Sequence, residues 1–181
     1  MKRSVSTMLT ILAAWVCAGV PAHGEGQLER GRWRLELTHM RGVDIGARNR
    51  EDDYCFTGSV EYEMPMSPHG TLGVRLYPAF VYHEEDSHPI YGGALGLAGR
   101  LYAKEEGHKG LFGEVGTAVL WHSRQFEGNT ADVNFLTEVG IGYLFRNDLH
   151  VAVKYRHMSN AGTARKNAGV DSLGLGVGFT F

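Results

Sequence analysis

The chain has 181 residues, with 18 Lys and Arg against 20 Asp and Glu and a formal net charge of −2. That length suits one domain with a filled interior. The slight acidity argues against a nucleic-acid partner. The two cysteines, Cys17 and Cys55, are too few for a disulfide framework.

The first element is a leader. Lys2 and Arg3 precede an apolar run over 8–20, and Ala22-His23-Gly24 supplies small residues at cleavage spacing, so 1–24 reads as a signal peptide. The run is short for a membrane helix, which needs about 20 apolar residues. Cys17 follows Ala14-Trp15-Val16, and the bulky residue before the cysteine does not suit lipoprotein processing. Loss of 1–24 removes Lys2 and Arg3, so 18 basic residues become 16 against 20 acidic ones, a net of −4. Cys55 then stands alone and is expected to be a free buried thiol.

Residues 25–181 contain no later apolar helix but carry most of the 25 glycines and many aromatics. With an export signal, this composition predicts an all-β fold, an eight-stranded antiparallel transmembrane β-barrel of the outer membrane. Eight segments alternate with period two, each about the ~9–11 residues that a tilted membrane strand needs. The first, 32–41, turns Trp33, Leu35 and Leu37 outward. The second, 54–64, turns out Phe56, Val60 and Tyr62. The third, 71–83, is expected to turn out Leu72, Val74, Leu76, Phe80 and Tyr82, and the fourth, 90–103, Tyr91, Leu95, Leu97 and Leu101. The fifth, 111–122, offers Leu111, Val115, Val119 and Trp121. The sixth, 135–146, offers Phe135, Val139, Ile141, Tyr143 and Phe145. The seventh, 148–159, offers Leu149, Val151, Val153 and Tyr155, and the eighth, 170–181, Leu173, Leu175, Val177, Phe179 and Phe181.

The opposite face collects Arg34, Arg75, Arg100, Lys154 and Arg156 with Glu36, Glu61, Glu63, Glu114 and Glu138. In lipid each such cation at mid-depth would cost ~2–4 kcal/mol. Inside a barrel of eight strands, which side chains can fill, these balanced charges can pair. Gly174, Gly176 and Gly178 then make room for longer neighbours. They lie at period two within a strand, not between a strand and a helix, so they do not form a phosphate loop. With both termini on the periplasmic side, 65–70, 104–110 and 146–148 become short turns. The segments 42–53, 84–89, 123–134 and 160–169 become outer loops. A secreted β-sandwich also gives short alternating strands, but it does not account for charge opposite the large apolar side chains on nearly every strand. The terminal aromatic Phe181 also suits outer-membrane insertion.

The chemistry gathers at the top of the seventh strand, in VAVKYRHMSN. His157 and Ser159 continue its lipid-facing parity. Eight steps from Leu149 to His157 give ~19 Å of vertical rise on a tilted strand, and Ser159 lies near ~23 Å. The apolar band is about 25 Å tall, so both residues fall at the outer-leaflet boundary. Asp171 shares the outward parity of the eighth strand and the same depth. In a hairpin pairing 157 with 171, their Cβ atoms would be ~4.5–5.5 Å apart. A carboxylate to orient an imidazole, an imidazole to take a proton and a hydroxyl to attack are what an activated serine requires.

RHMSNAG, followed by an acidic residue in the next strand, resembles the lipid A 3-O-deacylases, the PagL family of outer-membrane enzymes. The likeness spans the barrel length, the leader and the last two strands, and is specific from Arg156 to Asp171. The resemblance implies a serine hydrolase with Ser159 as nucleophile, His157 as general base and Asp171 as orienting acid. It implies an oxyanion hole from Asn160 with backbone amides around Ala161 and Gly162. The family's acid is typically glutamate, so Asp171 is a departure, one methylene shorter. The implied substrate is lipid A of lipopolysaccharide in the outer leaflet, hydrolysed at the ester-linked 3-hydroxyacyl chain of its 3 position. No metal or other cofactor is implied. The implied partners are the substrate and the surrounding outer-membrane lipid, with a homodimer as a candidate assembly.

Other polar groups have plainer readings. His83, Glu84, Glu85, Asp86 and His88, like Glu51, Asp52 and Asp53, read as solvated loop residues, with a divalent ion as the alternative for the first group. His122 and Ser123 read as structural. Arg165 and Lys166 form an exposed basic turn within range of lipid A phosphates. There is no G-x-S-x-G, H-E-x-x-H or C-x-x-C. The rival functions are a non-catalytic barrel, acting as adhesin or membrane stabiliser, and an acyltransferase, which would need an acyl-binding interior.

Overall fold

The computed structural model describes residues 31–45, 50–85, 87–104 and 108–181. The leader expected over 1–24 lies outside the described residues. The strands are β1 (Arg32–Gly42), β2 (Tyr54–Pro65), β3 (Gly70–His83), β4 (Ile90–Tyr102), β5 (Gly110–His122), β6 (Val133–Leu144), β7 (Leu149–Ser159) and β8 (Val170–Thr180). They pair in chain order, all antiparallel, and β8 returns to β1 to close the barrel. Closure removes every sheet edge, which is what makes a sheet admissible in lipid. Below the ladder, Trp33 and Phe181 exchange backbone hydrogen bonds, each 2.8 Å.

Alternation sorts the side chains as the sequence predicts. All ten strand charges assigned inward are buried. Arg75 sits at their centre, bonded to Glu61 at 2.6 Å, Glu138 at 2.9 Å and Glu114 at 3.1 Å. Arg100 pairs with Glu114 at 2.8 Å, Arg156 with Glu138 at 2.6 Å, and Lys154 bridges Glu36 and Glu114. The β8 glycines make this possible at two points. A Cβ at Gly178 would meet the His150 ring at 2.3 Å, and one at Gly176 would meet the Glu36 carboxyl at 3.0 Å.

Two expectations are corrected. Phe80 and Tyr82 point inward, at 1% and 0% exposure, because the β3–β4 register shifts between Tyr77 and Phe80. Pro78 lies within that shift and has no N–H for the ladder; the irregularity exchanges the faces above it. The two rings join Met40, Cys55, Leu120, Leu136, Met158 and Val170 in an apolar plug on the outer side of the ion-pair core. Phe126 closes it from the 123–132 loop, edge-on to Tyr82 at 5.2 Å. Asp53 and Glu84 are likewise buried, not solvated. Arg50 bonds both, at 3.0 and 3.1 Å, and the Tyr82 hydroxyl donates to Asp53 at 2.6 Å. Burial pushes the Glu84 carboxyl above its ordinary range, against the pull of the Arg50 guanidinium.

Candidate active site

The β7–β8 ladder sets His157 directly opposite Asp171. His157 Nδ1 and Asp171 Oδ1 are 2.8 Å apart. Since the carboxylate only accepts, Nδ1 carries the proton and Nε2 presents a lone pair. The acid, one methylene shorter than the glutamate typical of the family, therefore reaches the imidazole through direct cross-strand register.

Asp171 lies on the outward face yet is only 6% exposed. The Tyr155 hydroxyl donates to the same Oδ1 that His157 uses. Tyr155, His157 and Ser159 occupy alternate positions of β7, so all three share the lipid side. In the sequence Tyr155 reads as an ordinary outward aromatic. The available signal was its parity, two residues before the histidine. Gly169 is a second missed contributor. The imidazole packs so closely there that a Cβ would stand 2.8 Å from His157 Cε1.

Ser159 ends β7 opposite Phe135, and His157 lies opposite Thr137. The serine is two residues along the strand from the histidine, ~7 Å of rise, a span the imidazole ring largely covers. Among the described residues no hydrogen bond joins the two side chains, and such contacts commonly tighten only with substrate bound.

The backbone turns sharply after the serine. Ala161 has φ 52° and Gly162 φ 81°, both left-handed. Holding an alanine there costs of order 1–3 kcal/mol and persists only where the surroundings enforce it. Asn160 does the enforcing. It is fully buried; its Oδ1 accepts the Gly162 N–H at 2.9 Å, and its Nδ2 donates to Asn129 Oδ1 at 3.0 Å and to the Lys166 carbonyl at 2.7 Å. The expected oxyanion donors are thus placed unequally. The donors of the Asn160 side chain and of the Gly162 backbone are committed inward, whereas the Ala161 N–H has no protein partner among the described residues. Asn167 Oδ1 accepts the Asn160 N–H at 2.9 Å, and its Nδ2 has no protein partner among the described residues.

The buried amides continue. Asn129 donates to Asn134 at 2.7 Å, Asn134 lies 2.7 Å from His122 Nε2, and His122 Nδ1 faces the Arg124 carbonyl at 2.8 Å. His122 is therefore structural, as its lack of an acid partner suggests. Among the described residues no cluster of three or more His, Cys, Asp or Glu is arranged to hold a metal ion. A cleft lined by Asp52, His83, Glu85 and Arg124 includes none of His157, Ser159 or Asp171. The site is a patch on the barrel wall.

Fold and site together describe an outer-membrane β-barrel carrying a paired histidine and aspartate, with a serine, on its outer wall. Comparison supplies the family. The sequence profile of the lipid A 3-O-deacylase (PagL) family matches residues 56–180, more than half of the chain, and the chain belongs to that family. Among solved structures it is similar to the outer membrane enzyme PagL, with a TM-score of 0.60 at 19% identity over 81% of this chain and 98% of that one. It also resembles the N-terminal β-barrel domain of Pseudomonas aeruginosa OprF, with a TM-score of 0.52 at 16% identity over 84% and 98%. Neisserial surface protein A is similar as well, with a TM-score of 0.52 at 12% identity over 83% and 97%. At these identities the likeness establishes the fold. No curated protein sequence matches the chain.

Proposed function

We propose that the protein hydrolyses the ester-linked 3-hydroxyacyl chain at the 3 position of lipid A, with Ser159 as nucleophile, His157 as general base and Asp171 as orienting acid. The observation that carries this reading is the 2.8 Å contact between His157 and Asp171 on the same wall as Ser159. Asp171 holds the proton on Nδ1, so Nε2 takes the Ser159 proton as Oγ attacks the ester carbonyl. The negative charge gathers on the carbonyl oxygen, where the unpartnered Ala161 N–H is the donor assigned to it. A lost oxyanion donor costs ~2.7–4 kcal/mol of barrier. The tetrahedral intermediate then collapses, its sugar oxygen taking the proton from His157. Water, activated by the same imidazole, releases the 3-hydroxy acid from the acyl-serine.

The charged, filled interior argues against an acyltransferase that draws its acyl chain into the barrel. Purified protein mixed with lipid A in detergent is expected to yield free 3-hydroxy fatty acid and lipid A lighter by that chain in the mass spectrum. Ser159→Ala is expected to yield neither. Undiminished release by Ser159→Ala overturns the assignment, and wild type that leaves lipid A intact favours the non-catalytic barrel.

A further inference from the structure

Lipid exposure makes one residue conspicuous. On the outward faces of the eight strands, among the described residues, only Arg41 and Asp171 carry a formal charge from Asp, Glu, Lys or Arg. Arg41 shares its parity with Trp33, Leu35 and Leu37, and it is exposed. It is eight steps above Trp33, ~19 Å of vertical rise, which puts it at the outer boundary of the apolar band. There an outward arginine costs only ~0–1 kcal/mol.

Its place relative to the site is fixed by register. Arg41 pairs with Leu173 of β8, and Val43 donates to the Asp171 carbonyl at 2.9 Å. Arg41 is thus the diagonal neighbour of Asp171, a separation of ~7–8 Å that long side chains cross. Yet the two form no ion pair; Tyr155 and His157 both bond Oδ1 of Asp171. Arg41 makes no hydrogen bond or ion pair among the described residues. On its other side it pairs with Tyr54, whose ring stacks on His83 at 4.4 Å between centroids.

The two flanks of the site differ in character. On the β6 side Ser159 faces Phe135, with Val133 beyond it, both apolar. On the β1 side stands the unpaired guanidinium. Lipid A itself has this polarity, an acylated glucosamine disaccharide bearing phosphates. Resting on the deacylase reading, we propose that Arg41 forms a phosphate subsite. It holds the phosphate of the glucosamine whose 3-acyl ester meets Ser159, while the acyl chain lies against the apolar β6 flank. A guanidinium suits this task through its forked donors. Two strand spacings, ~10 Å, separate β1 from β7, a gap that the side chain and the sugar bridge together.

The test is binding in the Ser159→Ala background, where turnover is absent, with a gel shift on heating to confirm the folded barrel. Three probes are compared: lipid A with both phosphates, lipid A lacking the phosphate on the ester-bearing glucosamine, and phosphatidylglycerol in mixed micelles. Adding Arg41→Gln is expected to weaken binding of the first about tenfold or more and to leave the second and third unchanged. Equal weakening for all three makes Arg41 a general headgroup contact and overturns the proposal, as does unchanged binding of the first. If wild type proves unable to cleave lipid A while binding still depends on both Arg41 and that phosphate, the subsite stands and the hydrolytic reading falls.

Discussion

At the residue scale, the outward faces of β7 and β8 bring an imidazole and a carboxylate together by alternation and pairing alone. His157 and Asp171 were legible because two facts of sequence, parity and equal distance from the strand ends, translate directly into cross-strand contact. Tyr155 was not, because an outward tyrosine in a barrel usually marks the membrane interface, and only the structure shows its hydroxyl on Asp171. That hydroxyl and the imidazole converge on one carboxylate oxygen, which fixes the carboxylate about its last torsion. A hydrogen bond to a charged group is worth ~1.5–3 kcal/mol. Tyr155→Phe is therefore expected to lower kcat on lipid A about tenfold with KM little changed, read from initial rates of fatty-acid release. An unchanged kcat would reduce Tyr155 to packing.

The outer loops decide how the serine is presented at the scale of elements. The 160–169 connection is bound to the 123–132 loop by Asn160 to Asn129, by the Thr130 N–H on the Lys166 carbonyl at 3.2 Å and by Ala168 on Gly128 at 3.0 Å. None of this cross-loop bonding was legible, since it joins residues 31 to 40 positions apart with no periodic signal. Resemblance alone directed Asn160 toward the oxyanion; in the structure its side-chain donors hold the Asn129 oxygen and the Lys166 carbonyl, contacts with no sequence signal. Asn160→Ala leaves the Gly162 N–H without its partner and strips the Lys166 carbonyl of one of its two donors, an unsatisfied buried group costing ~1–3 kcal/mol. Limited proteolysis is expected to cut the 160–169 loop faster in this variant while the barrel stays intact. Equal cutting of variant and wild type would show that the loop does not depend on Asn160.

For the whole molecule, the sequence predicted eight strands with ends within two residues of those observed, because lipid outside and charge inside impose one strict alternation. The exception is the upper part of β3, where the irregularity around Pro78 exchanges the faces and sends Phe80 and Tyr82 into the plug. Ion-pair core and apolar plug together fill the interior, which agrees with a proposed site on the outer wall. In the proposed mechanism Ser159, on that outer wall, is a nucleophile activated by His157. The direct measurement is labelling by a lipid-soluble alkyl phosphonate in bilayer vesicles, with the modified residue located by peptide mass spectrometry. The label is predicted on Ser159 in the wild type and absent in a folded His157→Asn variant. A label on a different serine, or one that persists on Ser159 without His157, would contradict this mechanism.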